Sequence, residues 1–148
     1  MITATNTTVL SLSGFNQSPY ATRGLSQSVT PIPQAVSLAR TVNGALVNLA
    51  ATQFQKFAFS ISGNDVDPPA FDGLWPGQAT TLQCLVEFAI EGSIGTAGFD
   101  RTPVTGSIRE ESGFTFYRAE VACLVTGFSI ERNEWGAATS WTLVLEEV

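Results

Sequence analysis

The polar and apolar positions of this chain alternate with a period of two. From Lys56 to Ser62, Phe57, Phe59 and Ile61 fall on one side and Ala58, Ser60 and Ser62 on the other, the pattern of a half-buried strand. Leu82, Cys84, Val86, Phe88 and Ile90 repeat it, opposed by Thr81, Gln83 and Glu87. Tyr117, Ala119, Val121, Cys123 and Val125 share a third face, and after Gly127 the apolar phase moves to Phe128 and Ile130. A glycine at a change of phase predicts a β-bulge. The run Ser140 to Glu147 sets Trp141, Leu143 and Leu145 against Thr142, Val144 and Glu146 and predicts a last strand.

The strongest local signal is Asn43-Gly44 within AVSLARTVNGALVNLA. A two-residue type I′ turn needs positive φ at both centres, which these residues tolerate. Such a turn pairs Val42 with Ala45, Arg40 with Val47 and Leu38 with Leu49. Val36, Leu38, Val42, Ala45, Val47 and Leu49 then share one face, with Arg40 intruding near an edge or beside an acidic partner. Helical spacing is confined to Leu49 to Phe54, one turn at most. The pattern as a whole predicts an all-β domain over residues 21–148, a β-sandwich or flattened β-barrel. Residues 1–20, rich in Ser, Thr and Asn, read as an extended N-terminal arm. It either adds to a neighbouring subunit's sheet edge or forms an edge strand of its own sheet.

With 148 residues the chain can bury roughly 70% of its unfolded surface without disulfides or metal. Only 14% of residues are charged, below the usual quarter or so, which predicts that part of the surface is covered in an assembly. A formal charge of −6 with only 7 Lys and Arg argues against nucleic acid and against an anionic membrane as partners. The N-terminus lacks a basic region followed by an apolar segment, so no secretory signal is expected, and no stretch approaches the length of a membrane span. Cys84 and Cys123 each sit in an apolar alternating run and read as two buried core thiols in preference to a disulfide; free thiols suit synthesis in a reducing cytosol.

Catalytic chemistry finds few candidates. The chain has no histidine, so Ser-His-Asp, Cys-His and His-containing zinc sites are excluded. Glu110-Glu111 and Glu146-Glu147 are adjacent pairs whose side chains would face opposite ways on a strand. Asp65, Asp67 and Asp72 share a loop, but the six-position glycine of a calcium loop is replaced by Pro69, so they read as turn-forming acids. GSIGTAG lacks the spacing of a dinucleotide fingerprint, and Gly92 to Gly106 reads as a long connection. The expectation is a non-enzyme with no cofactor and no metal.

The segment ISGNDVDPPAFDGLWPGQATTLQC joins two of the predicted strands and holds the most distinctive chemistry. Pro68-Pro69 stiffens the backbone, the glycines allow tight bends, and Phe71 and Trp75 are placed to dock on a partner. Trp75 and Trp135 lie beside Pro-Gly and Gly, in turns; they are either surface anchors or caps on the end of the core. Trp141, within a strand, reads as core. The expected interface residues are therefore Phe71, Trp75, Trp135, Pro68 and Pro69.

RTVNGALVNLAATQFQKFAFSISG, PPAFDGLWPGQATTLQC and ERNEWGAATSWTLVLEEV together resemble a group of small β-rich virion structural proteins of tailed bacteriophages, of the tail or tail-tip type. The resemblance spans about Arg40 to Val148. It implies a phage-particle subunit, in the tail or at its tip (baseplate), made in the bacterial host cytoplasm and assembled with copies of itself and other virion structural proteins. A capsid decoration (cement) protein is a neighbouring alternative. A carbohydrate-binding module that stacks a glycan on the same tryptophans is another.

Overall fold

The computed structural model describes residues 11–12, 24–70, 74–93 and 98–148. Ten strands follow in chain order: β1 (Ser11–Leu12), β2 (Ser26–Pro31), β3 (Leu38–Arg40), β4 (Leu46–Asn48), β5 (Phe57–Asp65), β6 (Ala79–Glu91), β7 (Thr102–Pro103), β8 (Arg109–Glu111), β9 (Phe114–Arg132) and β10 (Thr139–Glu147). Short 3₁₀ turns cover Pro33–Ala35 and Thr52–Phe54, the latter inside the one stretch with helical spacing. Among the described residues no helix is long and apolar enough to cross a membrane.

Eight strands form one antiparallel sheet in the order β1-β6-β9-β10-β5-β2, with β7 and β8 added on β9. The alternation seen in the sequence decides which face turns inward. Phe59 and Ile61 of β5, Leu82 and Cys84 of β6, Tyr117 through Val125 at alternate positions of β9, and Trp141, Leu143 and Leu145 of β10 are all buried in one core. The sheet curls until β2 lies beside β6, where the Gln27 side-chain oxygen accepts from the backbone N–H groups of Leu85 (2.6 Å) and Val86 (3.2 Å). The fold is therefore all-β, and the rolled sheet matches a flattened barrel. β1 pairs with Leu82 and Gln83 on that same outer edge of β6.

Irregularities sit where they bend the sheet. Between Val144 and Leu145 of β10 the register against β9 shifts by one residue, leaving Thr126 as the extra residue beside Gly127. This is the bulge predicted from the phase change, and the Thr126 hydroxyl donates to the Val144 carbonyl at 3.1 Å. The second irregularity, between Gln83 and Glu87 of β6, is the segment that Gln27 holds. Opposite Trp141, Gly63 of β5 leaves room for the indole: a Cβ there would lie 2.5 Å from the ring. β5 runs to Asp65, three residues beyond the predicted strand, because this pairing with β10 continues as far as Thr139.

The Asn43-Gly44 hairpin differs from its prediction. β3 and β4 pair as Leu38 with Asn48, Ala39 with Val47 and Arg40 with Leu46, one residue out of the expected register. Thr41 and Ala45 close a three-residue loop: Gly44 N–H donates to Thr41 O at 2.9 Å, and Gly44 alone has positive φ, +82°. That is a type I turn followed by a glycine bulge, so the apolar residues divide between the two faces of the hairpin. Arg40 donates to the Gly44 carbonyl across the turn (2.9 Å). A type I′ turn lies elsewhere, at Ser112-Gly113 between β8 and β9, with φ of +54° and +82°.

Candidate functional site

The strand register gives the barrel two ends. β5 starts at Phe57, paired with Pro31, and finishes at Asp65, paired with Thr139. Its nine residues separate the ends by about 26 Å.

One end carries Trp135, and the Trp75 turn lies further along β9. β5 stops at Asp65, whose carboxylate accepts the Val66 N–H (2.8 Å), while the Thr139 hydroxyl ties down the Val66 carbonyl (3.1 Å). Trp75-Pro76-Gly77-Gln78 is a type II turn, with Gly77 at φ +92° and Gln78 N–H donating to Trp75 O at 2.9 Å. The turn is sewn to β9 by Gly77 N–H donating to the Val125 carbonyl. Trp75 rests edge-on against Phe128 at 5.9 Å yet stays 71% exposed. Trp135, in the turn between β9 and β10, is 92% exposed. Ile130 is half exposed beside an open groove of about 600 Å³ that Arg132, Asn133, Ala138 and Ser140 also line. Of the other expected contact residues Pro68 is exposed, Pro69 is buried and Phe71 lies outside the described residues, as does Asp72. Leu74, beside Trp75, is fully buried and belongs to the core.

The opposite end carries the β3–β4 hairpin and a cleft at its base. Val36, Leu38, Leu46, Leu49 and Phe54 are all roughly half exposed or more, and Val42 at the tip is completely exposed. A two-stranded hairpin is marginal without packing on one face, and this one presents apolar side chains on both. The cleft, of about 360 Å³, is lined by Pro31, Val36, Lys56, Phe57, Asp100 and Arg101 among others. Its floor is an ion pair: Arg101 Nε lies 2.8 Å from Glu147 Oε1, and Nη2 donates to Glu147 Oε2 (2.9 Å) and to the Gln55 carbonyl (3.2 Å). The Phe57 N–H donates to the same carboxylate at 3.0 Å, and the guanidinium stacks 4.9 Å over the Phe57 ring. These contacts lock the cleft before anything binds.

Titratable groups away from these ends serve the fold. Glu87 takes a paired contact from Arg109 (3.0 and 3.2 Å), which lowers its pKa chiefly through that hydrogen bond, and Arg109 also holds Glu111 and stacks on Phe116. Cys84 and Cys123 are free and buried, as their place in the alternation predicted. Burial pushes the Cys123 thiol up to about 12, with the nearby Cys84 and Glu147 adding to it, and burial also raises Cys84. Among the described residues no three His, Cys, Asp or Glu side chains gather where a metal could bind. The arrangement offers exposed apolar and aromatic side chains on the β3–β4 hairpin and on the turns of Trp75 and Trp135. In comparisons with known proteins, no family model, no curated protein and no solved structure matches the chain.

Proposed function

We propose that this protein is a structural subunit of a tailed-bacteriophage particle, a tail or tail-tip (baseplate) component that acts by assembling with copies of itself and with neighbouring virion proteins. The observation that carries an assembly role is the uncovered apolar surface in two places: the hairpin with Leu38, Val42, Leu46 and Leu49, and the turns with Trp75 and Trp135. Exposed apolar side chains in this number suit contact sites, and exposed tryptophans are among the side chains that most often dominate such contacts. The virion assignment rests on the resemblance over Arg40 to Val148.

Immunogold labelling of purified virions whose genome encodes the chain tests it directly. Gold at the tail or its tip is the expected result; gold spread over the head makes the chain a decoration protein, and unlabelled particles end the virion reading. The exposed indoles of Trp75 and Trp135 also favour a second reading, glycan recognition by stacking. Titration with host surface glycans, followed by tryptophan fluorescence, separates the two: an unchanged signal removes the glycan reading.

A further inference from the structure

Asparagine is a chemically labile residue, and the residue that follows it sets how labile. Its side-chain carbonyl is open to attack by the next backbone nitrogen, a ring closure that glycine leaves unhindered because it has no Cβ. Asn43-Gly44 is the single Asn-Gly in the chain. It stands at the tip of the β3–β4 hairpin, where both residues are exposed and no atom beyond the chain neighbours lies within 4 Å of the place a Gly44 Cβ would take. In the closed turn the attacking nitrogen is occupied, since Gly44 N–H donates to Thr41 O at 2.9 Å, so ring closure waits for the tip to open. Little holds it shut: β3 and β4 pair over three residues each, and Leu38, Val42 and Leu46 are half exposed or more. The other described asparagines are held differently. Asn48 Oδ1 accepts from the Ser37 and Ala50 N–H groups, both at 3.0 Å, and Leu49 follows it. Asn64 lies in the β5–β10 ladder opposite Ser140, and Asn133 is followed by Glu134.

We propose that Asn43 is a self-modification site at which the folded protein deamidates through the Gly44 backbone nitrogen. That nitrogen attacks the Asn43 side-chain carbon; the new C–N bond forms as the side-chain amide C–N bond breaks, ammonia leaves, and a succinimide ring remains. Water then opens the ring. Hydrolysis at the side-chain carbonyl leaves aspartate, and hydrolysis at the main-chain carbonyl leaves isoaspartate, with one more carbon in the backbone of the tip. One water is consumed, one ammonia is released, and nothing is oxidised or reduced. Either product adds one negative charge to a formal net of −6, on a stretch, residues 24–64, that holds no acid. On the assembly reading above, a copy left unassembled gains a carboxylate on the surface meant for its partner, while a seated hairpin is held closed. That consequence rests on the assembly reading; the modification does not.

Incubation of the isolated full chain at pH 8, in native buffer and in guanidinium chloride, tests the proposal without any partner. Trypsin releases Thr41–Lys56 as one peptide that holds both Asn43 and Asn48, and tandem mass spectrometry reads which of them has exchanged its amide for a carboxyl. Conversion is expected at Asn43 ahead of every other asparagine, as two chromatographically distinct products of one mass. Its rate in native buffer should lie within about tenfold of the rate in denaturant, because a weakly packed tip opens at little cost. Asn43→Ser, which suits the same turn, should abolish the conversion of this peptide. Conversion in denaturant with none in native buffer overturns the proposal, and so does earlier conversion at Asn48, Asn64 or Asn133. Because the assay needs no assembly, its failure leaves the virion reading to the gold labelling.

Discussion

Gly63→Ala places a methyl group where the barrel has no room. The added Cβ lies 2.5 Å from both Cε2 and Nε1 of Trp141 and 2.7 Å from Cζ2. Ordinary carbon contacts begin near 3.4 Å, so the indole must retreat by about 0.9 Å or the two strands must part. Neither is easy, because Trp141 is 1% exposed and packed among fully buried neighbours. Overpacking of this kind costs about 1–3 kcal/mol. Loss of glycine's freedom in the unfolded chain returns about 0.4–1 kcal/mol. The net loss of about 1–2 kcal/mol lowers the melting temperature by roughly 2–8 °C for a chain of this length. Urea unfolding followed by tryptophan fluorescence measures it, with Gly127→Ala as the control, since nothing lies within 4 Å of a Cβ there. Trp141→Phe removes the ring atoms that meet the methyl, so the double variant should lose about 1 kcal/mol less than the sum of the singles. A Gly63→Ala protein as stable as the wild type, or strict additivity in the double variant, would refute the clash.

The seam should be equally sensitive: Gln27→Ala leaves two backbone N–H groups at Leu85 and Val86 without their acceptor, and a loss of about 2 kcal/mol in chemical denaturation is expected. Arg101→Ala should cost roughly 2–4 kcal/mol, because it strands a Glu147 carboxylate that is only 8% exposed; Arg101→Lys should recover less than half, and thermal melts of both variants decide it. Buried Cys84 and Cys123 should resist a thiol reagent at pH 8 in the folded protein and both react in urea, counted by mass. The Cys123 thiol, at about 12 in the fold against 9.0 ordinarily, keeps its proton where the unfolded chain loses it. The stability it contributes is complete below pH 9 and is lost as pH rises from 9 towards 12, by up to about 1.4 kcal/mol per pH unit. Urea midpoints that hold constant from pH 8 to 11 would contradict that environment.

The strands with one buried face could be read directly from the sequence. Alternation placed Phe59, Ile61, Val121, Leu143 and Trp141 in the core because each side of those strands meets a different medium, and Gly127 marked its bulge because the apolar phase changes there. The hairpin register could not be read in the same way. Neither face of β3–β4 is buried, so alternation carries no force there, and Asn43-Gly44 fits a type I turn with a glycine bulge as well as a type I′ turn. The Ser112-Gly113 turn is not legible in the sequence because β8, Arg-Glu-Glu, has no apolar alternation to frame it. The tryptophan turns were legible from their Pro-Gly and Gly neighbours. The cleft was not: Pro31, Phe57, Arg101 and Glu147 come from four distant places, and only the rolled sheet brings them together.

β9 is 19 residues long and pairs with β6, β10, β7 and β8. The order of synthesis therefore matters. When β5 leaves the ribosome, its partner β10 lies more than 70 residues downstream, a delay of roughly 4–15 s at ordinary elongation rates. Until β9 and β10 emerge, Phe57, Phe59 and Ile61 have only β2 to pair beside them and β6 to pack against. The nascent chain must pass through this interval with the β10 edge of β5 unpaired, so the rolled sheet closes only after nearly the whole chain has been made.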